Sequence, residues 1–222
     1  MRILAFCGPK SSGKDTAATY LLARNSLLNE KLFEQMNFAD PLKSAVQSIF
    51  GVTYKELNEM PFKEQLLDRW PYLIPREVLQ NMAKQMRTFY GPDVFARRWG
   101  ERIKQATAAC VVCTDLRHLE ELDLMEQLGA TIIYVENARV EKEMVDGRAN
   151  GDPLWSDVSE SHYALLKARA HRIIPNDRGI NDLHEMCDKA VKETLGDWTM
   201  WGTKPPTIAT SDVHETLARA PG

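Results

Sequence analysis

The residues Gly8-Pro9-Lys10-Ser11-Ser12-Gly13-Lys14 place glycines, hydroxyls and a closing lysine between two regular-looking runs. The first is apolar, Ile3-Leu4-Ala5-Phe6-Cys7, and the second is helix-like, from Thr16 to Arg24. Glycines let successive backbone N–H groups turn inward around phosphate oxygens, a helix N-terminus behind them adds partial positive charge, and Lys14 adds a whole one. Strand, glycine-rich turn and helix is the order that a phosphate-binding P-loop requires. Gly8, Lys10, Ser11, Ser12, Gly13, Lys14 and Thr16 are therefore the candidate phosphate contacts. The position after Lys14, where most such loops put a Ser or Thr on Mg²⁺, is Asp15. A carboxylate there can serve that hard cation directly or through water. It can equally hold a substrate group or orient Lys14, with a plain helix cap as the competing reading.

Around the loop the chain alternates strand and helix patterns, which predicts a parallel sheet covered by helices, an α/β P-loop NTP hydrolase-like fold. Strands are expected at 3–7, 33–38, 109–114, 130–135 and 171–174. Helices are expected at 14–29, 76–89, 93–108, 118–128, 159–170 and 180–195. Pro75 marks the start of one helix and Gly129 the end of another. The stretch 136–158 is polar and broken by Gly147, Gly151 and Pro153, and reads as a lid or connecting loop. About 40–108 is mostly helical and too long for a simple crossover, so it reads as a substrate-binding insert in a kinase domain spanning 1–195. The tail 196–222, with Pro205-Pro206, shows no periodicity and reads as a free tail or an arm on a partner subunit.

The 222 residues are 44% hydrophobic and 27% charged, ordinary for one domain with a sizeable core. A formal charge of −3 argues against a general nucleic-acid surface, so positive charge must be gathered locally for small phosphates. No apolar run approaches the roughly 18 residues of a membrane span, and no signal-like segment precedes the first strand, so a cytoplasmic protein is expected. Cys110-Val111-Val112-Cys113 has redox or half-zinc spacing. In a strand, however, residues three apart point to opposite faces, and no second pair completes a zinc set. All four cysteines, Cys7 and Cys187 included, read as buried reduced thiols.

Further segments sharpen the reading: Phe38-Ala39-Asp40-Pro41-Leu42-Lys43, Pro75-Arg76-Glu77-Val78-Leu79-Gln80 with Arg87, and Thr114-Asp115-Leu116-Arg117. Together with Gly13-Lys14-Asp15-Thr16 they resemble, in order and spacing from Arg2 to about Leu195, the bacteriophage deoxynucleoside monophosphate kinase family. The resemblance implies transfer of the γ-phosphoryl of ATP, with Mg²⁺, to a deoxynucleoside 5′-monophosphate, and a homodimer. Such transfer depends on positioning two polyanions and neutralising their charge. Lys14 and the loop would hold the β and γ phosphates. Arg76, Arg87 and Arg117 are candidates for the acceptor phosphate, because guanidinium pairs bidentately with it. Gln80 could read a base edge, and Asp40 and Lys43 would line the acceptor cleft.

Asp115, just past a buried strand, is a candidate for Mg²⁺ water or substrate, with helix capping as its competitor. Asp40 before Pro41 is an equally good helix cap. Arg139 and Arg148 could close on ATP phosphates from the lid, and Trp155 could cover a base or pack as core. Ser159-Glu160 resembles a family segment or starts a helix. The turn Ile174-Pro175-Asn176-Asp177 is expected near the adenine by analogy of fold. Two other readings remain open: a P-loop ATPase or regulatory binder, and a kinase of dephospho-coenzyme A or phosphomevalonate.

Overall fold

The computed structural model describes residues 1–28, 32–152, 155 and 161–196. In chain order the elements are β1 (Arg2–Cys7), α1 (Lys14–Leu28), β2 (Phe33–Gln35), α2 (Asp40–Phe50), α3 (Tyr54–Asn58), α4 (Pro75–Tyr90) and α5 (Val94–Ile103). They continue with β3 (Cys110–Cys113), α6 (Leu119–Gln127), β4 (Thr131–Glu136), α7 (Ala138–Ala149), α8 (Tyr163–Ala168), β5 (Arg172–Pro175) and α9 (Ile180–Leu195). The chain divides into two compact units, Met1–Asn37 with everything from Trp99 onward, and Phe38–Arg98.

The first unit is built on a parallel sheet of order β2-β3-β1-β4-β5, with Leu4 facing Val112 on one side and Thr131 on the other. Parallel strands covered on both faces read as continuous apolar runs rather than alternating ones, which is the pattern of Leu4–Cys7 and Cys110–Cys113. Ala17, Ala18 and Leu21 of α1 and Leu183, Cys187, Ala190 and Val191 of α9 bury one face of the sheet against Leu4, Phe6, Val112 and Ile133. Because β1 lies between β3 and β4, the chain crosses over it, and the crevice of an α/β sheet opens at the carboxyl end of such a strand. This is an α/β P-loop NTP hydrolase-like fold. All four cysteines are buried and free, and burial pushes the Cys7, Cys110 and Cys187 thiols up to about 12.

Several expected boundaries shift. β2 ends at Gln35 rather than Phe38, and α5 ends at Ile103 rather than 108. The larger correction concerns 136–158, where the structure contains a helix, α7, in place of an irregular lid. Its N-cap Asn137 accepts from Val140 N, and Val140 and Met144, one turn apart, are buried. Gly147 lies inside this helix because Trp155 packs on it: an added Cβ would come within 2.2 Å of Trp155 Cδ1. Packing, not chain breaking, accounts for that glycine. The expected Ser159-Glu160 start and the tail beyond Gly196 lie outside the described residues.

The second unit packs Val46, Val52, Leu57, Leu67 and Val78 into its own small core. Gly51 closes α2 at φ 63, and Thr53 with Glu56 forms a capping box opening α3. Arg69 grips both Glu56 oxygens at 2.8 Å and reaches Gly51 O at 3.2 Å. The chain re-enters the first unit at Trp99, whose fully buried indole donates to Met36 O at 3.0 Å.

Candidate active site

The loop after β1 folds back toward the helix that follows it. Gly8 and Gly13 have φ of 133 and 106, and Ser11 adopts φ 64. Both glycine angles lie where side-chain-bearing residues are strained, and the space around them excludes a Cβ as well. A Cβ on Gly8 would lie 2.5 Å from Val135 O, and one on Gly13 2.3 Å from Asn176 Nδ2. Neighbouring main chain and a tethered amide thus press on the loop from outside. Lys14 is 5% exposed, and its Nζ donates to Pro9 O at 2.6 Å and Ser12 Oγ at 3.4 Å. The cation is therefore held within the span of the loop, where a polyphosphate would meet it.

Asp15 belongs to the first turn of α1, one residue inside the helix start, so the simple cap reading does not describe it. Its Oδ1 accepts from Thr114 Oγ1 at 2.8 Å, across the crevice between α1 and the end of β3. Thr114 is fixed in turn, its N–H donating to Asn37 Oδ1 at 2.9 Å and its hydroxyl accepting from Gln35 Nε2 at 3.3 Å. Asp115 follows immediately, half-buried, with the Cys113 thiol 3.3 Å from its Oδ1. Asp15 and the Thr114 hydroxyl place oxygen donors at the crevice, the ligand type a hard cation shared with phosphates takes, and Asp115 is the next residue along the chain. No group of three metal-ligating side chains occurs among the described residues. Thr114, Asn37 and Gln35 were not singled out as site residues in the sequence; a run of amides and a hydroxyl bordering buried strands is the signal that could have found them.

Arg117 stands on the loop between β3 and α6. Its N–H and that of His118 donate to Glu121 Oε2, each at 3.0 Å, and its carbonyl lies 3.2 Å from His162 Nδ1. The 4%-exposed Glu121 carboxylate thus fixes the backbone that carries this arginine.

A pocket of about 500 Å³ opens beside the loop, lined by Ser11, Thr16, Asn137, Arg139, Asn176 and Asp177, with Gly179, Ile180 and Leu183 at the start of α9. Arg139 lies in this wall, strongly exposed and 3.8 Å from Glu143. Arg148 is nine residues further along the same helix, about two and a half turns, so the two point to opposite sides. The expected pair of lid arginines is therefore not brought together. Arg148 Nε instead donates to Trp155 O at 3.3 Å, and Trp155 is 7% exposed against Gly147, placed as packing. The base of α7 is braced by Lys167, whose Nζ reaches Glu136 at 2.5 Å and Glu141 at 3.0 Å, while Tyr134 OH donates to Glu141 at 2.9 Å. Burial, then the bond to Glu141, raises the Tyr134 phenol well above its ordinary value.

The remaining candidates belong to the second unit. Asp40 is the first residue of α2, one position past its N-cap Ala39. Lys43 Nζ donates to Asn58 Oδ1 at 2.6 Å. Arg76, Gln80 and Arg87 share α4, and spacings of four and seven put them on one face. Arg76 pairs with Glu64 at 3.0 Å, and the Arg87 guanidinium lies 4.6 Å from the Phe95 ring centroid.

No protein-family model matches the chain. A protein of Acanthamoeba polyphaga mimivirus, provisionally named a deoxynucleotide monophosphate kinase, is 30% identical over 149 residues, 61% of this chain and 74% of that one. Among solved structures, a shikimate kinase from Acinetobacter baumannii in complex with shikimate is 12% identical, with 89% of this chain and 94% of that chain covered at a TM-score of 0.48. No described helix is long and apolar enough to cross a membrane.

Proposed function

We propose, from the premise that the chain belongs to the viral nucleotide kinase family of its mimivirus relative, that it moves the γ-phosphoryl of ATP onto a deoxynucleoside 5′-monophosphate. The observation that carries this reading is the loop itself, where Gly8 and Gly13 are compressed by their neighbours and Lys14 lies within the turn. The relative's name and the Asp40–Lys43, Arg76–Gln80 and Asp115–Arg117 segments support the acceptor class. ATP would lie with its phosphates on residues 8–16 and its base in the pocket bounded by Asn137, Arg139, Asn176 and Asp177. Lys14 and the loop N–H groups would neutralise the β and γ oxygens as charge spreads during transfer.

Asp15 and Asp115 would hold Mg²⁺ through water, with Thr114 keeping Asp15 turned to the crevice; the ion, when bound, supplies charge neutralisation between the phosphates. Arg117, fixed by Glu121, would meet the transferring or acceptor phosphate. In the second unit, Arg76 and Arg87 would grip the acceptor phosphate and Gln80 its base edge, with Asp40 and Lys43 lining the cleft. The same reading makes the protein a homodimer of bacteriophage type acting in the host cytoplasm, which sedimentation would test by mass.

A coupled ADP-release assay with ATP, Mg²⁺ and each deoxy- and ribonucleoside monophosphate, with products identified by mass, tests the function. Acceptor-dependent formation of a deoxynucleoside diphosphate is expected. ADP release indifferent to every acceptor would instead mark an ATPase.

A further inference from the structure

Asn176 is one of the pocket's lining residues, but its shortest side-chain bond runs to the phosphate loop. We propose that Asn176 is a positioning residue for the polyphosphate, acting by fixing the Ser12–Gly13 peptide. This rests on the nucleotide-kinase reading of the same site.

Asn176 Nδ2 donates to Ser12 O at 2.8 Å. In a trans peptide the carbonyl and the following N–H point to opposite sides, so a Ser12 carbonyl pinned toward Asn176 turns the Gly13 N–H away from it. A loop of this kind binds phosphate through such inward N–H groups. Gly13, at φ 106, belongs to the one residue type that adopts either sign of φ freely, so the loop sequence by itself does not select this peptide orientation. The external bond supplies the selection. The two groups are in close contact: a Cβ added at Gly13 would lie 2.3 Å from Asn176 Nδ2.

Asn176 is itself anchored on both sides of its main chain. Its N–H donates to Glu136 O at 2.7 Å, and its carbonyl accepts from Asn137 Nδ2 at 2.6 Å. Asn137 also caps α7 by accepting from Val140 N at 3.1 Å, and Asp177 Oδ1 accepts from Ala138 N at 2.9 Å. One turn after β5 therefore sets both the phosphate loop and the first residues of α7. Preorganisation of donors in this way spares the loop a rearrangement when charge arrives.

The test compares ATP with adenosine, which lacks the phosphates, by calorimetric titration of wild type, Asn176→Ala and Asn176→Asp. Loss of one such bond should weaken ATP binding about tenfold in Asn176→Ala, with a clearly smaller loss for adenosine, whose base shares a pocket with Asn176. Asn176→Asp keeps the shape but sets a carboxylate against the Ser12 carbonyl and the phosphates, so its ATP loss should be larger, on the order of a hundredfold. If the aspartate variant does not fold, the alanine variant carries the comparison. Equal losses for ATP and adenosine would mean that Asn176 acts on the base, and unchanged ATP affinity in either folded variant would mean that the loop sets itself; each overturns the proposal. A wild-type protein that binds ATP no tighter than adenosine would remove the kinase reading beneath it.

Discussion

The two units hold their candidate chemistry in different ways. In the first, Lys14 is held by its own loop, but Asp15 is bonded by Thr114 beyond β3 and Ser12 by Asn176 beyond β5, each about a hundred residues or more away in sequence. In the second, the charged groups are satisfied by short-range neighbours, Arg76 by Glu64, Lys43 by Asn58 and Arg69 by Glu56. That unit also exposes Trp70, Tyr72, Phe89 and Tyr90. A phosphate cradle made of backbone must be rigid before the ligand arrives, because N–H groups cannot rotate into place one at a time. A cleft that grips through long side chains can wait in local ion pairs and exchange them for a ligand phosphate at modest cost, since partly exposed pairs contribute little.

The strongest way to break this contrast is Lys14→Ala. It should lower kcat/KM by about a thousandfold or more, with the melting temperature nearly unmoved, because the lost charge serves phosphates rather than the core. Steady-state kinetics beside a thermal melt reads both. A large drop in melting temperature would instead make Lys14 a structural strut of the loop through Pro9 and Ser12. Gly8→Ala should damage fold and activity together, since φ 133 and a main-chain oxygen at 2.5 Å leave a Cβ nowhere to go. The expected cost is about 2 kcal/mol, a melting shift of roughly 4–8 °C at this chain length.

Arg76→Met sharpens the comparison from the other side. If the Glu64 pair is a resting partner for an acceptor-binding arginine, KM for the acceptor should rise about tenfold or more with little change in KM for ATP. Stability should fall by less than about 1 kcal/mol, as for a partly exposed pair. A melting change without a KM change would assign Arg76 to the local pair alone.

Legibility in the sequence divides by range along the chain rather than by unit. The loop, α1, the parallel character of the sheet and the helix opening at Pro75 are written in local chemistry: glycine where φ is positive, apolar runs where both faces are covered, proline where an N–H is not needed. The helix α7 was not legible as one, because Gly147 and Gly151 look like breakers until Trp155 is seen on Gly147. Asn137, Asn176 and Thr114 are ordinary polar residues in sequence. Their importance comes from partners 39, 164 and 99 residues away, a separation that no local pattern encodes. Asp15 illustrates the boundary: its position beside Lys14 flagged it, but only the fold shows that a hydroxyl just past β3 bonds to it. Asp15→Ser should accordingly retain partial activity with an altered Mg²⁺ requirement, read from rate against metal concentration. Unaltered kinetics would reduce the carboxylate to a local role.

The smallest expected effect concerns acid and the second unit alone. Arg69 holds the Glu56 carboxyl down to about 2, from an ordinary 4.5, with the Thr53 backbone N–H and hydroxyl adding to the depression against desolvation. A carboxyl depressed on folding stabilises the folded state above its ordinary value, and that contribution is lost as pH falls through the folded one. The Glu56–Arg69 contribution should therefore be complete at pH 6, decline below about pH 4.5 and be largely gone near pH 2. Melting temperatures of wild type and Glu56→Gln across that range should converge toward the acid end. A gap that stayed constant would assign the effect of the substitution to the Thr53 capping box, whose bonds a neutral amide only partly replaces, rather than to charge.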